Sequence, residues 1–309
     1  MKALITGMNG FVGKNLINLL LNENIEVIGL DLNTSNDPRL VQYAVDINDL
    51  ENIQKIIEQT KPDQIYHLAA PAFIPDSYTN PQKTFKSIIE GTVNLLEIIR
   101  NKSPESKFLY VGSSEEYGLY NGVPFSEEMI PYPCTAYGSA KAAASIICYQ
   151  YSQFYDLNIV RTRSFNHIGP GQSPRFVCAS IAKQIAELEK DGGNKISLGN
   201  LSTSRDFLDV RDVVQAYYKI MHLKDNSGEL YNICSGRQVT IEKVISIFLK
   251  NTYINESLII ESETQYRKFD NIQICGDNTK LIRQTGWGEA YQIEQTIKDT
   301  LDFWRKQLC

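Results

Sequence analysis

The chain has little of what marks several classes of protein. Its 309 residues include only three histidines, and its six cysteines are scattered without a CxxC pair, which argues against a metal site and a disulfide framework. No run of about 20 apolar residues is present, so we expect no membrane span. The net charge is −5 and no basic run occurs, so we expect no nucleic-acid partner. The opening segment is too short and glycine-broken for a signal peptide, and we therefore expect a cytoplasmic protein with reduced thiols.

The first half of the sequence alternates short apolar runs with stretches of helical periodicity. The predicted strands are Lys2–Thr6, Glu26–Leu32, Gln64–Leu68, Lys107–Gly112 and Asn158–Ser164. The predicted helices are Val12–Asn22, Leu50–Gln59, Thr84–Asn101 and Thr135–Tyr155. This alternation predicts an α/β fold with a Rossmann-type doubly wound parallel sheet, covered by helices on both faces.

The regular alternation of strands and helices ends after residue 165, where a loop rich in glycine and proline begins. Shorter elements follow: Phe176–Asp191, Ile196–Leu198, Asp206–Val210, Val213–Met221, Leu230–Ile233, Ile241–Lys250, Leu258–Glu261 and Ile293–Gln307. We predict a Rossmann domain over residues 1–165 that also takes in about 205–222. The remainder of 166–309 is then a smaller C-terminal α/β substrate-binding lobe.

Three glycines, Gly7, Gly10 and Gly13, lie between the first strand and the first helix. Glycine allows a backbone to approach a pyrophosphate closely, and the helix start supplies unpaired N–H groups for the same anion. The context therefore predicts a dinucleotide site. The same loop supplies three further candidate cofactor contacts, Asn9, Phe11 and Val12.

Acidic residues occur at the end of the second predicted strand and shortly before the predicted helix Leu50–Gln59. Asp31 can accept hydrogen bonds from a ribose and repel a 2′-phosphate, which favours NAD over NADP. Arg39 lies nearby and could offset that charge, so both cofactors remain open. Asp46 either meets the adenine edge or caps the next helix. Other expected cofactor contacts are Ile47, Leu68, Ala69 and Ala70.

The sequence also contains a candidate catalytic group. Tyr137 and Lys141 are four residues apart at the start of a long helix, so both project from one face. An ammonium beside a phenol lowers its pKa, and the phenol can then exchange a proton with a carbonyl or hydroxyl oxygen. Ser113 follows a predicted strand and could hydrogen-bond the same oxygen.

The motifs GMNGFVG, HLAA, SSEEYG and YGSAK occur in the order and spacing of the extended short-chain dehydrogenase/reductase family, and the chain resembles that family over essentially its whole length. The segments RTRSFNHIGPGQSPRFV, AKQI, GNLSTSRDFLDVRDVVQAYY, GELYNICSG and TGWGEAYQIEQTIKD resemble its nucleotide-sugar branch. Within that branch they are most similar to reductases of GDP-linked 4-keto-6-deoxy-mannose.

The resemblance implies roles for particular residues. Tyr137 would be the general acid, and Lys141 would lower its pKa and hold the nicotinamide ribose. Ser113 would bind the 4-keto oxygen with help from Ser114, and Glu115 stands where related 4,6-dehydratases have an acid/base. The implied substrate contacts are Asn166, Lys183, Arg205 and Arg267, together with Ser114 and Glu115.

The implied activity is NAD(P)H-dependent reduction of the C4 keto group of a 4-keto-6-deoxy nucleotide sugar. A GDP-mannose-type 4,6-dehydratase, a nucleotide-sugar 4-epimerase and a non-catalytic NAD(P)-binding protein are the alternatives. The resemblance also implies a homodimer through a four-helix interface. Three segments depart from the family pattern, at Ile88, at Cys134–Thr135 and at Lys268, where asparagine, a Ser/Pro pair and proline are usual.

Overall fold

A computed structural model describes residues 1–120, 122, 124–192, 195–262, 264 and 273–309. Its strands are β1 (Lys2–Thr6), β2 (Glu26–Asp31), β3 (Val41–Ala44), β4 (Gln64–His67), β5 (Lys107–Ser113), β6 (Ile159–Ser164), β7 (Asn166–Ile168), β8 (Ile196–Leu198), β9 (Ser204–Arg205), β10 (Phe207–Asp209), β11 (Leu230–Ile233), β12 (Val239–Thr240) and β13 (Ile259–Glu261). The first five predicted strands and the α/β class are confirmed.

The helices alternate with the strands. They are α1 (Phe11–Asn22), α2 (Leu50–Thr60), α3 (Ile74–Thr79), α4 (Pro81–Phe85), α5 (Gly91–Lys102), α6 (Ala136–Phe154), α7 (Val177–Asp191), α8 (Val210–His222), α9 (Ile241–Leu249), α10 (Thr279–Thr285) and α11 (Ile293–Leu308). Among the residues described, no helix is long and apolar enough to cross a membrane.

Seven parallel strands form the main sheet, in the order β11-β6-β5-β4-β1-β2-β3. The order reverses direction between β1 and β4, so the loops after these two strands diverge and leave a crevice at their carboxyl ends. One of the two edge strands, β11, consists of residues that the sequence analysis assigned to the substrate-binding lobe. The chain therefore returns to the sheet after the predicted boundary at 165.

Two apolar layers cover the sheet, as its runs of buried residues require. On one face α1 and α8 pack through Leu16, Leu20, Val213 and Tyr217. On the other face α2, α5 and α6 pack through side chains that include Ile53, Ile57, Leu95 and Ala144. Helices α7, α9 and α11 enclose a separate core in the C-terminal lobe.

Two helices differ from their predicted form. Residues 84–101 are one helical stretch, but Lys86–Glu90 form a π-helical turn between α4 and α5. There the Thr92 hydroxyl donates to the Ile88 carbonyl (2.6 Å), a side-chain bond of the kind that disturbs a helical ladder. Helix α8 begins at Val210 rather than at the predicted Val213. The Asp209 carboxylate accepts the backbone N–H of Arg211 and so caps the helix at this earlier position.

Candidate active site

A continuous cleft runs along the carboxyl ends of the parallel strands. Its first part lies over β1, β2 and β4, and its second part lies between β5, α6 and the C-terminal lobe. The two parts share lining residues in the glycine loop and after β4: Gly7, Gly10, Leu68 and Ala70. The topological crevice of the sheet and the predicted site are therefore the same place.

The glycine loop fits a pyrophosphate. A Cβ atom on Gly13 would lie 2.4 Å from the Gly7 carbonyl oxygen, so the turn closes only around glycine. Gly7 has a φ of +76°, a conformation that glycine adopts without strain. Gly10 is the N-cap of α1 and provides no capping side chain, which leaves the first N–H groups of the helix for an anion.

All the predicted cofactor contacts line this cleft. The structure brings together Gly7, Asn9, Gly10, Phe11, Val12, Gly13, Asp31, Asp46, Ile47, Leu68, Ala69, Ala70, Tyr137 and Lys141. Small side chains after β4 leave the strand ends open beside the glycine loop. These residues and the loop could hold a nicotinamide dinucleotide.

The Asp31 carboxylate is fixed at the end of β2 by two backbone N–H groups, from Asn9 (2.9 Å) and Leu32 (2.7 Å). Arg39 does not offset its charge, because the Arg39 guanidinium binds the Asp37 carboxylate and the side-chain oxygen of Asn18 (3.1 Å). The same guanidinium lowers the pKa of Asp37 to about 2. The charge of Asp31 therefore faces the cleft unopposed by Arg39.

Asp46 is not the cap of helix α2, which was one of the two roles that the sequence left open for it. Helix α2 is capped by Asp49, which accepts the N–H of Asn52, while Asp46 accepts both N–H groups of Asn48, backbone (2.8 Å) and side chain (2.9 Å). Asp46 itself lines the cleft.

His67 lies behind the cleft. Its Nδ1 and Nε2 atoms contact the hydroxyls of Thr6 (2.9 Å) and Thr92 (3.1 Å), and it is buried. Burial lowers the pKa of His67 to about 3, so the ring is neutral. His67 therefore has a structural role behind the cleft.

Ser113, Ser114, Glu115, Tyr137 and Lys141 line the second part of the cleft. Strand β5 ends at Ser113 and passes directly into a 3₁₀ turn, while α6 begins just before Tyr137 because Thr135 caps it through the N–H of Gly138 (2.9 Å). The Ser113 side chain lies near the Tyr137 phenol and acts to lower the pKa of that phenol. The predicted catalytic residues are thus brought together from three segments.

The expected effect of Lys141 on Tyr137 differs in the structure. Burial raises the pKa of Tyr137, and the carboxylates of Glu115 and Glu116 add to that effect. The Lys141 ammonium donates to the Val111 carbonyl (2.7 Å) and lies 6.0 Å from the centre of the Tyr137 ring. Burial lowers the pKa of Lys141 to about 8. Tyr137 is therefore a neutral phenol here, which suits a proton donor better than a base.

The predicted substrate contacts separate into three groups. Asn166 and Arg205 line the cleft, and Arg205 is buried there with a hydrogen bond to the Ser204 carbonyl (2.8 Å). Lys183 lies further along α7, where its ammonium faces Glu187 (3.4 Å) and the Trp304 ring (5.8 Å), away from the cleft lining. Arg267 and Lys268 lie outside the described residues.

Sequence reasoning missed one wall of the cleft. Phe73, before α3, and Phe176, before α7, meet edge to face at 5.7 Å. The Arg175 guanidinium stacks on the Phe73 ring at 3.8 Å and pairs with Asp76 at 2.5 Å. We call these four side chains the clasp, since they join the loop after β4 to the C-terminal lobe. They share no motif, and only the tertiary structure brings them together.

In the part of the chain that the structure describes, no group of three or more histidine, cysteine or acidic side chains is arranged to hold a metal ion.

The model of the family described as GDP-mannose 4,6 dehydratase matches residues 4–300. A GDP-6-deoxy-D-mannose reductase from Pseudomonas aeruginosa is 30% identical over 99% of this chain and 98% of that protein. A GDP-6-deoxy-D-talose 4-dehydrogenase from Aggregatibacter actinomycetemcomitans is 31% identical over 93% of this chain and 92% of its own length.

Solved structures agree. RMD from Pseudomonas aeruginosa in complex with NADPH superposes with a TM-score of 0.88, at 29% identity over 99% of each chain. A UDP-glucose 4-epimerase from Thermotoga maritima with UDP-glucose gives a TM-score of 0.90, at 28% identity over 100% of each chain. The chain therefore belongs to the GDP-mannose 4,6-dehydratase family, within the nucleotide-sugar branch of the extended short-chain dehydrogenases/reductases.

Proposed function

We propose that the protein reduces the C4 keto group of a 4-keto-6-deoxy nucleotide sugar with NAD(P)H. The substrate that the relatives favour is GDP-4-keto-6-deoxy-D-mannose, and the product is GDP-6-deoxy-mannose (GDP-D-rhamnose) or its C4 epimer. The observation that carries the proposal is that Ser113, Tyr137 and Lys141 line the same cleft as the glycine loop.

The residues act as follows. A bound nicotinamide cofactor supplies the hydride, and it would be held by the glycine loop, Asp31 and Lys141. The hydroxyls of Ser113 and Tyr137 bind the C4 oxygen, and Tyr137 gives it a proton as it becomes an alcohol oxygen. Lys141 carries three N–H donors, of which one binds Val111, and the others suit ribose hydroxyls.

Asn166 and Arg205 bind the diphosphate of the nucleotide sugar. Arg205 is suited to this because its guanidinium is planar and stays charged when buried, so it can pair with two phosphate oxygens at once. Lys183 has no part in this arrangement, since it faces Glu187 and Trp304.

The test is an NAD(P)H-oxidation assay against a panel of 4-keto nucleotide sugars, with NMR of the product. We expect stoichiometric NAD(P)H consumption with the GDP-linked 4-keto sugar and a new hydroxyl at C4. Conversion of GDP-mannose to a 4-keto sugar without net NAD(P)H consumption would instead identify a 4,6-dehydratase.

The second candidate function is that of a 4,6-dehydratase, and the position of Glu115 is the observation that favours it. Its side chain lines the cleft beside Ser114, where a carboxylate could remove a proton from C5 of the sugar. Glu115→Gln separates the two activities. It should abolish dehydration, but a reductase needs no base at C5 and should retain turnover within about tenfold.

We propose that NADH is used in preference to NADPH. Asp31 is fixed toward the cleft and would repel a 2′-phosphate, while Arg39 is paired with Asp37. The ratio of kcat/KM for the two cofactors measures this preference, and Asp31→Ala should reduce it. A wild-type preference for NADPH would refute it.

We also propose a homodimer formed by α5 and α6 of each subunit. Its support is the outward face of α6, where Ile146 (58% exposed), Tyr149 (46%) and Phe154 (74%) present large apolar side chains. Light scattering should give twice the chain mass, and Ile146→Glu/Phe154→Glu should give the monomer. A monomeric wild type would contradict this.

We propose a cytoplasmic location, supported by six free cysteines, which suit a reducing compartment. Cell fractionation tests it.

A further inference from the structure

Two oppositely charged side chains are enclosed beneath the end of β5. The side chains of Glu116 and Arg163 are 0% and 4% exposed, and Arg163 Nε donates to Glu116 Oε2 at 3.0 Å. The proposed reaction uses neither of them directly. Burying an ion pair costs much of what its attraction gains, so stability alone explains it poorly.

Glu116 holds the backbone of Ser113. Its Oε1 atom accepts the Ser113 N–H (2.9 Å), and the Ser113 hydroxyl in turn accepts the N–H of Glu115 (3.2 Å). These reciprocal bonds form a capping box around the 3₁₀ turn. A Cβ on Gly112 would lie 2.1 Å from the same Oε1 and 2.3 Å from the Thr162 carbonyl oxygen, so glycine leaves room for both the carboxylate and strand β6.

Arg163 holds Glu116 from the other side. Its Nη1 donates to the Met129 carbonyl (3.3 Å), and its guanidinium lies 4.4 Å from the centre of the Tyr117 ring. The Tyr117 hydroxyl donates to Asn232 Oδ1 (2.7 Å) on β11. The carboxylate is thus fixed by contacts that reach three segments of the fold.

The charge of Glu116 acts on the catalytic side chains. It raises the pKa of both Tyr137 and Lys141, because a nearby negative charge favours their protonated forms. Other titratable or charged groups that interact with it are Tyr110 on β5, Arg161 and Arg163 on β6, and Cys148 on α6. Burial raises the pKa of Glu116 itself, while Arg163, the Ser113 N–H and Lys141 act to lower it. Glu116 therefore interacts electrostatically with both Lys141 and Tyr137.

We propose that Glu116, held by Arg163, is a positioning residue for proton transfer. It fixes Ser113 at the end of β5 and places its carboxyl group within electrostatic reach of Lys141 and Tyr137. The role in proton transfer rests on the proposed function. The contacts of Glu116 with Ser113 and Arg163 do not depend on it.

Two double variants separate the two effects while leaving neither Glu116 nor Arg163 as the unpaired half of the buried ion pair. Glu116→Gln/Arg163→Met keeps an oxygen that accepts the Ser113 N–H but removes the charge. Glu116→Leu/Arg163→Met removes both. NMR titration of ¹³C-tyrosine in the NAD(P)H complex follows Tyr137, whose signal is assigned by its loss in Tyr137→Phe.

In both double variants we expect Tyr137 to titrate at lower pH than in the wild type. The glutamine variant should lose about tenfold in kcat, and the leucine variant about a hundredfold, because it also releases Ser113. KM should stay within about twofold. Glu189→Gln, which removes the charge of a carboxylate paired with Arg305 in the C-terminal lobe, is the matched control and should leave both readouts unchanged.

A folded leucine variant with wild-type kcat and wild-type Tyr137 titration would show that the pair only stabilises the fold, and would overturn the proposal. The titration needs no substrate, so it decides the matter even if the wild type fails to reduce the 4-keto sugar. That failure would refute the proposed function alone.

Discussion

The cleft has a cofactor wall, lined by residues that follow β1 to β4, and a substrate wall, lined by Asn166 and Arg205. The residues on these two walls are positioned by different structural features. On the cofactor wall, contacts come from short segments that directly follow β1, β2, β3 and β4, and all the predicted contacts line the cleft. On the substrate wall, Asn166 and Arg205 reach the cleft, but Lys183 turns to Glu187 and Trp304.

The difference lies in what fixes each side chain. A residue directly after a parallel strand is placed at the carboxyl edge by the strand itself, so its position follows from the sequence. Lys183 lies in the interior of α7, where the direction of its side chain depends on which face of the helix packs inward. Ser113 and Tyr137 belong with the first kind, because each is near a strand or helix end, and Lys141 follows Tyr137 by four residues on the same helix face.

The largest expected effect concerns the catalytic phenol. Tyr137→Phe removes the proton donor but keeps the ring, so kcat should fall by about 10²–10⁴-fold while NAD(P)H binds with near-normal affinity. Steady-state kinetics and a fluorescence titration of NAD(P)H measure the two quantities. Retained turnover would remove Tyr137 from its assigned role.

The second prediction tests the substrate wall directly. Arg205→Gln should raise KM for the nucleotide sugar about ten- to a hundredfold, since a hydrogen bond to a charged group contributes about 1.5–3 kcal/mol. Lys183→Gln is the matched control on the same wall and should leave KM unchanged. Equal effects of the two substitutions would contradict the placement of Lys183.

The third prediction concerns pH. Burial lowers the pKa of Lys141 to about 8, so the charged ammonium predominates below that pH and is lost above it. We expect kcat/KM for reduction to fall about tenfold per pH unit above pH 8. Lys141→Arg should lack this inflection, because a guanidinium stays protonated. A flat wild-type profile to about pH 10 would exclude Lys141 as its source.

The smallest effect is expected at the clasp. Its ion pair is half exposed, so Arg175→Gln should cost about 1 kcal/mol or less and speed NAD(P)H release about two- to fivefold in stopped-flow measurements. Lys298→Gln, which removes an exposed ion pair on α11, controls for general charge effects. An unchanged release rate would show that the clasp does not limit access to the cleft.

The sequence by itself determined the strand–helix alternation, the glycine loop and the group Ser113, Tyr137 and Lys141. Each is set by local rules: apolar periodicity, the backbone freedom of glycine, and the four-residue spacing on a helix face. Among the described residues, the elements that the sequence analysis did not predict are α3, α10, β3, β7, β9 and β12. They have two to seven residues, and elements this short carry little periodicity.

The tertiary structure decided what depends on contacts between distant segments. It turned Lys183 away from the cleft, paired Arg39 with Asp37, assembled the clasp, and enclosed Glu116 against Arg163. It also set the ionisation of Tyr137, whose pKa is raised because burial outweighs the contact with Ser113. Burial and side-chain direction are properties of the packed molecule, since both depend on neighbours that are remote along the chain.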